Sequence, residues 1–520
     1  MHKALHVRDI VLDIVAHVPK GSLVALARTS KALSEPALDG IWREMGSLDP
    51  VYQTLPAGVW TKDFGGQLVL AKAPIKPKDW ARLVSYANRI HTLSLEGGLV
   101  SRVNFLKVVK YHLPRGVDLF NNLRVLRLVQ NNPDAEFFLA LSILLRPTLQ
   151  TVALTAASTD CVVATLSHAQ FRCHDVQELH IAEAFGVLPM IDHFVCLRTL
   201  VYDNPVDTVD LHLMLSLARL PHLRKLKITS RFTPNPPCSD AQPAEQDVPS
   251  FPALEELSLT RVADLKAVSD LLHLISSSAL CSVSLAYEAS AGLRELSNSL
   301  SQRGKLKLLH LESLAVPQAG TSVFQHVMGL AALTELADVR LMDVFSQDDL
   351  GSDGVRALTK YWGRLRTLHI VCKSWHDNST TPKAVVFNPG VLLSLATNNP
   401  HLREIRMAAI WPHGWQTSYE RIGHIRRDTP LRLLLCSASA LGNDNAYDVA
   451  EYISHLYPNV DLTYEGSEKG SYGQKYGSRW AEVKRLIGRI GRTRAAERRI
   501  MEAEMLKAVE SVSFITVSEA

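Results

Sequence analysis

From residue 90 onward one short phrase recurs: an apolar residue, two free positions, a second apolar residue, one free position and a third. It reads IHTLSL at 90, LRVLRL at 123, LQTVAL at 149, VQELHI at 176, LRTLVY at 197 and LRKLKI at 223. It continues as LEELSL at 254, LCSVSL at 280, LKLLHL at 306, LRTLHI at 365 and LREIRM at 402, with weaker copies beginning at Leu333 (LTELAD) and Leu431 (LRLLLC). The last two apolar positions alternate, so both point to one face of a short strand while their neighbours point to the other. One such strand cannot bury its leucines; parallel copies stacked side by side share a continuous core.

Twelve intervals cover 341 residues, roughly 28 per repeat, and a period of about 20–29 with L-x-x-L-x-L is the signature of leucine-rich repeats. Return segments between copies carry helix signals. In NPGVLLSLATNNP, Asn388 suits a cap and Pro389 a first turn, and GSDGVRALTKYW before the copy at 365 has the same form. Only the copy at 123 places an asparagine, Asn131, at the ladder position, so the asparagine spine of regular arrays is missing. The expected fold class is α/β: an irregular leucine-rich-repeat solenoid, or horseshoe, over 89–465. The competing reading is a set of coincidental amphipathic strands in a general α/β protein.

At 520 residues the chain exceeds the size at which a single core stops growing, about 250–300 residues, which implies either several domains or one elongated repeat array. Its seven cysteines are scattered and form no CxxC pair, which argues against a disulfide framework or a zinc site and for a reducing cytoplasmic or nuclear compartment. The first ten residues hold Arg8 and Asp9 where a signal peptide needs an apolar run, and the longest apolar stretch, FFLALSILL, is about half a membrane span. Residues 469–499 hold ten Lys/Arg against two Glu; with a net charge of +4 for the whole chain, the remainder sits near −4.

Residues 1–45 follow a different rule. Val7, Ile10, Val11, Ile14 and Val18 keep a 3.6-residue period, Pro19 and Gly21 break it, and Leu23, Leu26 and Ala27 mark a second helix. Ser34 and Pro36 suit the cap and first turn of a third helix carrying Ala37, Leu38, Ile41 and Trp42. Three short helices bury little apolar surface, and a unit this small usually needs a disulfide, a metal or a partner. No cysteine precedes position 161, so a partner surface is expected.

The stretch DIVLDIVAHVPKGSLVALARTSKALSEPALDGIWREM resembles an F-box, in the form found in basidiomycete fungal F-box proteins. ALARTSKALSEPALDGIW and the following SLDPVYQTLP carry the likeness most specifically, and WAEVKRLIGRIGRTRAAERR at 480–499 is similar to that family's C-terminal segment. Arg8 stands where the family usually has a proline that shapes the adaptor contact. The resemblance implies a substrate receptor of a Skp–cullin–F-box ubiquitin ligase, in which the helical module binds the Skp-family adaptor and, through it, a cullin. By resemblance the adaptor contacts are Val7, Ile10, Val11, Ile14, Val18, Leu23, Leu26 and Trp42, several of which must instead form the module's own core. Residues 46–88 are then a linker or N-terminal cap, and 466–520 a Gly-rich connector with a basic helix. The alternative is an interaction scaffold independent of ubiquitin, its N-terminal helices serving only as the cap that a terminal repeat requires.

The strand face is expected to carry specificity for a protein substrate. Its outward residues are Arg127, Glu178, His180, Asp203, Lys225, Lys227, Glu256, His310, Glu312, His369, Glu404 and Arg406, mixed in sign. A nucleic-acid reader would show a basic stripe, so no nucleic acid and no membrane are expected as partners. No P-loop, GxGxxG, HExxH or GxSxG occurs; no catalytic, cofactor or metal residue is assigned, and a ligase receptor contributes proximity alone. A GTPase-activating protein built on leucine-rich repeats would need a loop arginine placed for the nucleotide, and none stands out. Two segments interrupt the array. TPNPPCSDAQPAEQDVPS (233–250) reads as a disordered insertion, and WPHGWQTSYERIGHIRRD (411–428) as either an interface or a loop folded on the last repeats. Trp480, Val483, Ile487 and Ile490 share one helical face, which suits a C-terminal cap docked on the final repeat; a basic helix contacting RNA, anionic lipid or an acidic partner is the other option.

Overall fold

Each repeat closes because its three apolar positions leave water together. In the first, Ile90, Leu93 and Leu95 are fully buried, as are Leu197, Leu200 and Tyr202 in a later one, while the residues between them stay at the surface. The computed structural model describes residues 7–56, 59–62, 68–70, 75–95, 109, 112–114, 116–130, 141–156, 158–234, 250–315, 323–345, 352–371, 390–407, 431–436, 446–465 and 471–517. Asn131, Asn388 and Pro389, most of the 233–250 insertion and the whole of 411–428 lie outside them. The chain divides into two compact units: residues 1–231 with 235–256 and 275–277, and residues 232–234, 257–274 and 278–520.

In the first unit the chain opens with three helices, α1 (Arg8–His17), α2 (Lys20–Thr29) and α3 (Lys31–Trp42). The break before α2 is confined to Val18 and Pro19, and Gly21 lies inside α2. The expected cap of α3 is corrected: Ser30, not Ser34, caps it, its Oγ accepting the Leu33 N–H at 3.3 Å. The helix therefore runs through Pro36 at the cost of the one bond that proline cannot donate. A Cβ on Gly40 would lie 2.7 Å from Val15 Cγ1 and 2.9 Å from Leu23 Cδ1, so only glycine lets α3 approach its neighbours this closely.

A short strand, Glu44–Met45, leads into the array and pairs in parallel with Thr92–Leu95. Then follow, each parallel to the last, Val125–Gln130, Thr151–Ala156, Glu178–Ala182, Thr199–Asp203 and Lys225–Thr233. In the second unit Ser282–Tyr287, Leu308–Ser313, Asp338–Met342, Thr367–Val371, Glu404–Met407, Arg432–Cys436 and Asp461–Glu465 follow one another in the same way. Parallel order with an intervening return at every step is what a right-handed crossover stack requires.

Two copies of the phrase sit elsewhere than the sequence suggests. Leu309 pairs with Val339 and Leu311 with Leu341, so the copy assigned to Leu333 begins at Leu336, three residues on. Ile405 pairs with Leu433 and Met407 with Leu435, so the copy assigned to Leu431 is displaced by one residue. In both places neighbouring leucines offer a second register, and pairing with the preceding strand decides between them.

Without an asparagine spine, the returns are held by separately placed polar groups. In the first unit the Tyr202 hydroxyl and Asn204 Nδ2 both donate to the Ala184 carbonyl, at 2.5 and 2.7 Å. In the second, Trp362 Nε1 donates to the Leu330 carbonyl at 3.1 Å, and buried Asn399 donates to the carbonyls of Trp362 and Thr359 at 2.7 and 3.1 Å. Gly292 opens the helix Leu293–Ser301 with φ +83°, and a Cβ there would stand 2.6 Å from the Lys266 backbone nitrogen. Gly292→Ala should therefore cost about 3 kcal/mol, joining left-handed strain to a backbone clash. A urea midpoint equal to that of the unchanged protein would contradict this.

Candidate functional site

The helical module is the first candidate surface. Val11, Val15, Leu23 and Leu33 form its core, with Val18, Leu26 and Ile41 packed against them. Val11 and Leu23 are thus turned inward, and Trp42 packs on Tyr86 with ring centroids 4.7 Å apart. Of the eight residues that the resemblance points to, Val7, Ile10 and Ile14 remain at the surface, 48, 42 and 40% exposed. They recur at i, i+3 and i+7, one flank of α1, while Val11 and Val15 occupy the other. Leu12 and Val24, 39 and 51% exposed, were not anticipated; their periods match neither helical face in the sequence.

The module is also tied to the first repeats. The Arg89 guanidinium pairs with both Glu35 and Asp39, Lys20 Nζ donates to the Glu44 carbonyl at 2.7 Å, and the Arg43 carbonyl accepts from the His91 and Thr92 amides at 2.9 Å each. The Arg89 side chain is only 14% exposed, so this pairing is partly shielded from solvent screening.

The second candidate is the outward strand face, and every one of its twelve anticipated residues lies on a strand at a non-core position. In the first unit, register sets Arg127 opposite Ala153, Ala153 opposite His180, His180 opposite Val201 and Val201 opposite Lys227, making one row. Glu178 and Lys225 share the next row, where Lys225 also pairs with Glu256 at 2.8 Å. Asp203 accepts from Thr229. In the second unit the row is Ser284, His310, Arg340, His369 and Arg406. Ser284 Oγ lies 3.1 Å from His310 Nδ1, His310 lies 3.8 Å from Glu312, and His369 Nε2 lies 3.0 Å from Glu404. Arg340, held by Asp338 through two bonds of 3.1 Å, was missed because its copy of the phrase was read three residues early. Burial pulls the imidazoles of His180 and His369 below the ordinary histidine value, so at neutral pH neither adds charge to the face.

The third candidate, the C-terminal helix, runs from Ser471 to Val517 and begins within the Gly-rich stretch. Trp480, Val483 and Ile487 are buried, and the Trp480 ring stacks on Tyr464 at 6.4 Å. Among the described residues no group of three His, Cys, Asp or Glu could hold a metal ion, and no helix is long and apolar enough to cross a membrane.

Parallel strands that repeat one apolar phrase, each followed by its own return, define a leucine-rich-repeat solenoid. No model of a known protein family matches the chain, and no curated protein does. Solved structures similar to it include an internalin of Listeria monocytogenes, 13% identical over 68% of this chain and 88% of that one, with a TM-score of 0.35. The yeast Rad7 and Elc1 complex is 14% identical over 72 and 86%, with a TM-score of 0.37. A leucine-rich-repeat protein of Leptospira interrogans is 14% identical over 76 and 100%, with a TM-score of 0.35. These are likenesses of repeat architecture alone.

Proposed function

We infer that the chain is the non-catalytic substrate-recognition subunit of a Skp–cullin–F-box ubiquitin ligase. The helical module binds the Skp-family adaptor and the repeats bind a protein substrate, whose lysine is thereby held near the conjugating enzyme. One observation carries this reading: α1 is apolar on both flanks, and the flank bearing Val7, Ile10 and Ile14 has no cover from its own chain among the described residues. Burying the remaining exposed surface of the three side chains contributes about 2–4 kcal/mol, an apolar anchor for an adaptor contact. F-box-like sequence in the same 37 residues supports the assignment of that flank to the adaptor.

In a pull-down with purified Skp-family adaptor, the unchanged chain should be retained, and the Ile10→Asp, Ile14→Asp variant should bind about a hundredfold more weakly or worse. Both residues lie outside the module's core, so helicity by circular dichroism should not change. Equal retention of the variant would remove α1 from the adaptor contact. A wild-type chain that ignores the adaptor would sink the ligase reading and leave the scaffold reading. That second reading has its own support in the ties from Arg89 to Glu35 and Asp39 and in the Trp42–Tyr86 packing, which suit a cap for the first repeat. The capping contacts come from α3 and the adaptor contact from α1, so the two roles can coexist.

A further inference from the structure

Behind the exposed flank of α1, the module and the first repeats enclose an open cleft of about 1190 Å³. Its lining includes the apolar side chains of Leu12, Val18 and Pro36. The lining also carries Arg43, Arg89 and Arg127. Arg89 is held between the carboxylates of Glu35 and Asp39, and Glu44 is a third carboxylate on the lining. Arg43 and Arg127 are exposed, and neither guanidinium has a hydrogen-bond or ion-pair partner among the described residues. Arg127 belongs as well to the outward strand row, paired in register with Ser94, which also lines the cleft. The cleft is thus the module-side end of the strand face.

We propose that this cleft binds an extended acidic–apolar peptide segment, with Arg43 and Arg127 each taking a carboxylate. The volume exceeds the roughly 300–1,000 Å³ of small-molecule sites, and the lining holds no Phe, Tyr or Trp and a single imidazole, His91, a poor platform for successive stacked bases. Register bounds the spacing of the acids. Glu44 pairs with Thr92 and Arg127 with Ser94, so Arg43, the C-cap of α3 and the residue before Glu44–Met45, stands two strands from Arg127, at least about 10 Å from strand spacing. Residues i and i+4 of an extended chain are separated by about 14 Å and point the same way. Residues i+1 and i+3 point oppositely, and apolar side chains there suit Leu12, Val18 and Pro36 of the lining. A charge-assisted bond to each guanidinium fixes both ends of the segment. This deepens the substrate-receptor reading by assigning substrate capture to the first repeats, and it does not require the adaptor.

The test is fluorescence anisotropy of the full chain with a fluorescein-labelled Glu-Leu-Ser-Leu-Glu peptide, beside Gln-Leu-Ser-Leu-Gln. The acidic peptide should bind at least tenfold more tightly than its amide counterpart. Arg43→Ala with Arg127→Ala should lose at least tenfold with no change in melting temperature, since neither side chain supports the fold. The Ile10→Asp, Ile14→Asp variant should bind the peptide normally, so a failed adaptor contact and a failed cleft give different results. Three outcomes would overturn the proposal: equal affinity for the two peptides, unchanged affinity in the double arginine variant, or loss on changing Arg489 and Arg492 of the basic helix instead. Binding of polyuridylate, but not the peptide, through Arg43 and Arg127 would overturn it too.

Discussion

Trp480→Ala should free the C-terminal helix from the last repeat and lower the stability of the second unit by about 3–5 kcal/mol, the usual cost of emptying a buried tryptophan site. The Trp480 side chain is 1% exposed and stacks on Tyr464, which sits on the final strand, Asp461–Glu465. Val483 and Ile487 follow on the same flank. Without this cover the last strand would be an open sheet edge, with unpaired amides and carbonyls facing water and other chains. Polar ties beside it, Lys484 to Asp461 at 3.2 Å and Arg494 to the Ser454 carbonyl at 3.0 Å, contribute less. The first is an exposed pair, and Lys484→Ala should change stability by under about 1 kcal/mol. Urea unfolding of the two variants compares them directly, and limited proteolysis should cut the Trp480 variant within 488–500 well before the parent. Equal midpoints for Trp480→Ala and Lys484→Ala would mean that the helix is no cap.

The repeats were legible because their signal is local. Six residues state which side chains turn inward, and eleven of the thirteen copies fall where the phrase puts them. Where leucines crowd, the phrase loses its register. Leu333 and Leu336 are both fully buried, yet only Leu336 leads into the strand; Leu333 closes the short 3-10 turn Met328–Ala332. Short terminal strands such as Glu44–Met45 carry no period to read. The module shows the complementary limit. A helical wheel marks α1 as apolar, but both of its flanks are, and only packing against α3 tells Val11 from Ile10. Ser30 and Ser34 are equally good caps on paper. The cleft was invisible, since Arg89 meets Glu35 across 54 residues and Arg43 joins Arg127 only through strand register.

Trp362→Ala should be the other severe substitution, again about 3–5 kcal/mol, but for a different physical reason. Trp362 is buried at the end of one return, its indole N–H donating to Leu330 in the return before it and its carbonyl accepting from Asn399 in the return after it. In a quasi-one-dimensional array the stability lies largely in contacts between neighbours, and this residue joins three successive returns at one point. Trp362→Phe separates the contributions: it keeps most of the apolar burial but removes the indole donor, leaving the Leu330 carbonyl with the Leu333 amide alone, which costs about 0.5–1.5 kcal/mol. Asn399→Leu removes two bonds, leaving the carbonyls of Trp362 and Thr359 with only the Leu365 and Trp362 amides as donors, and should cost about 1–3 kcal/mol. Because both lie in one hydrogen-bond chain, the double variant Trp362→Phe with Asn399→Leu should lose less than the sum of the two by at least about 0.5 kcal/mol. Strict additivity would mean that the returns are held by packing alone, and the bonds replacing the absent asparagine spine would then be incidental to the fold.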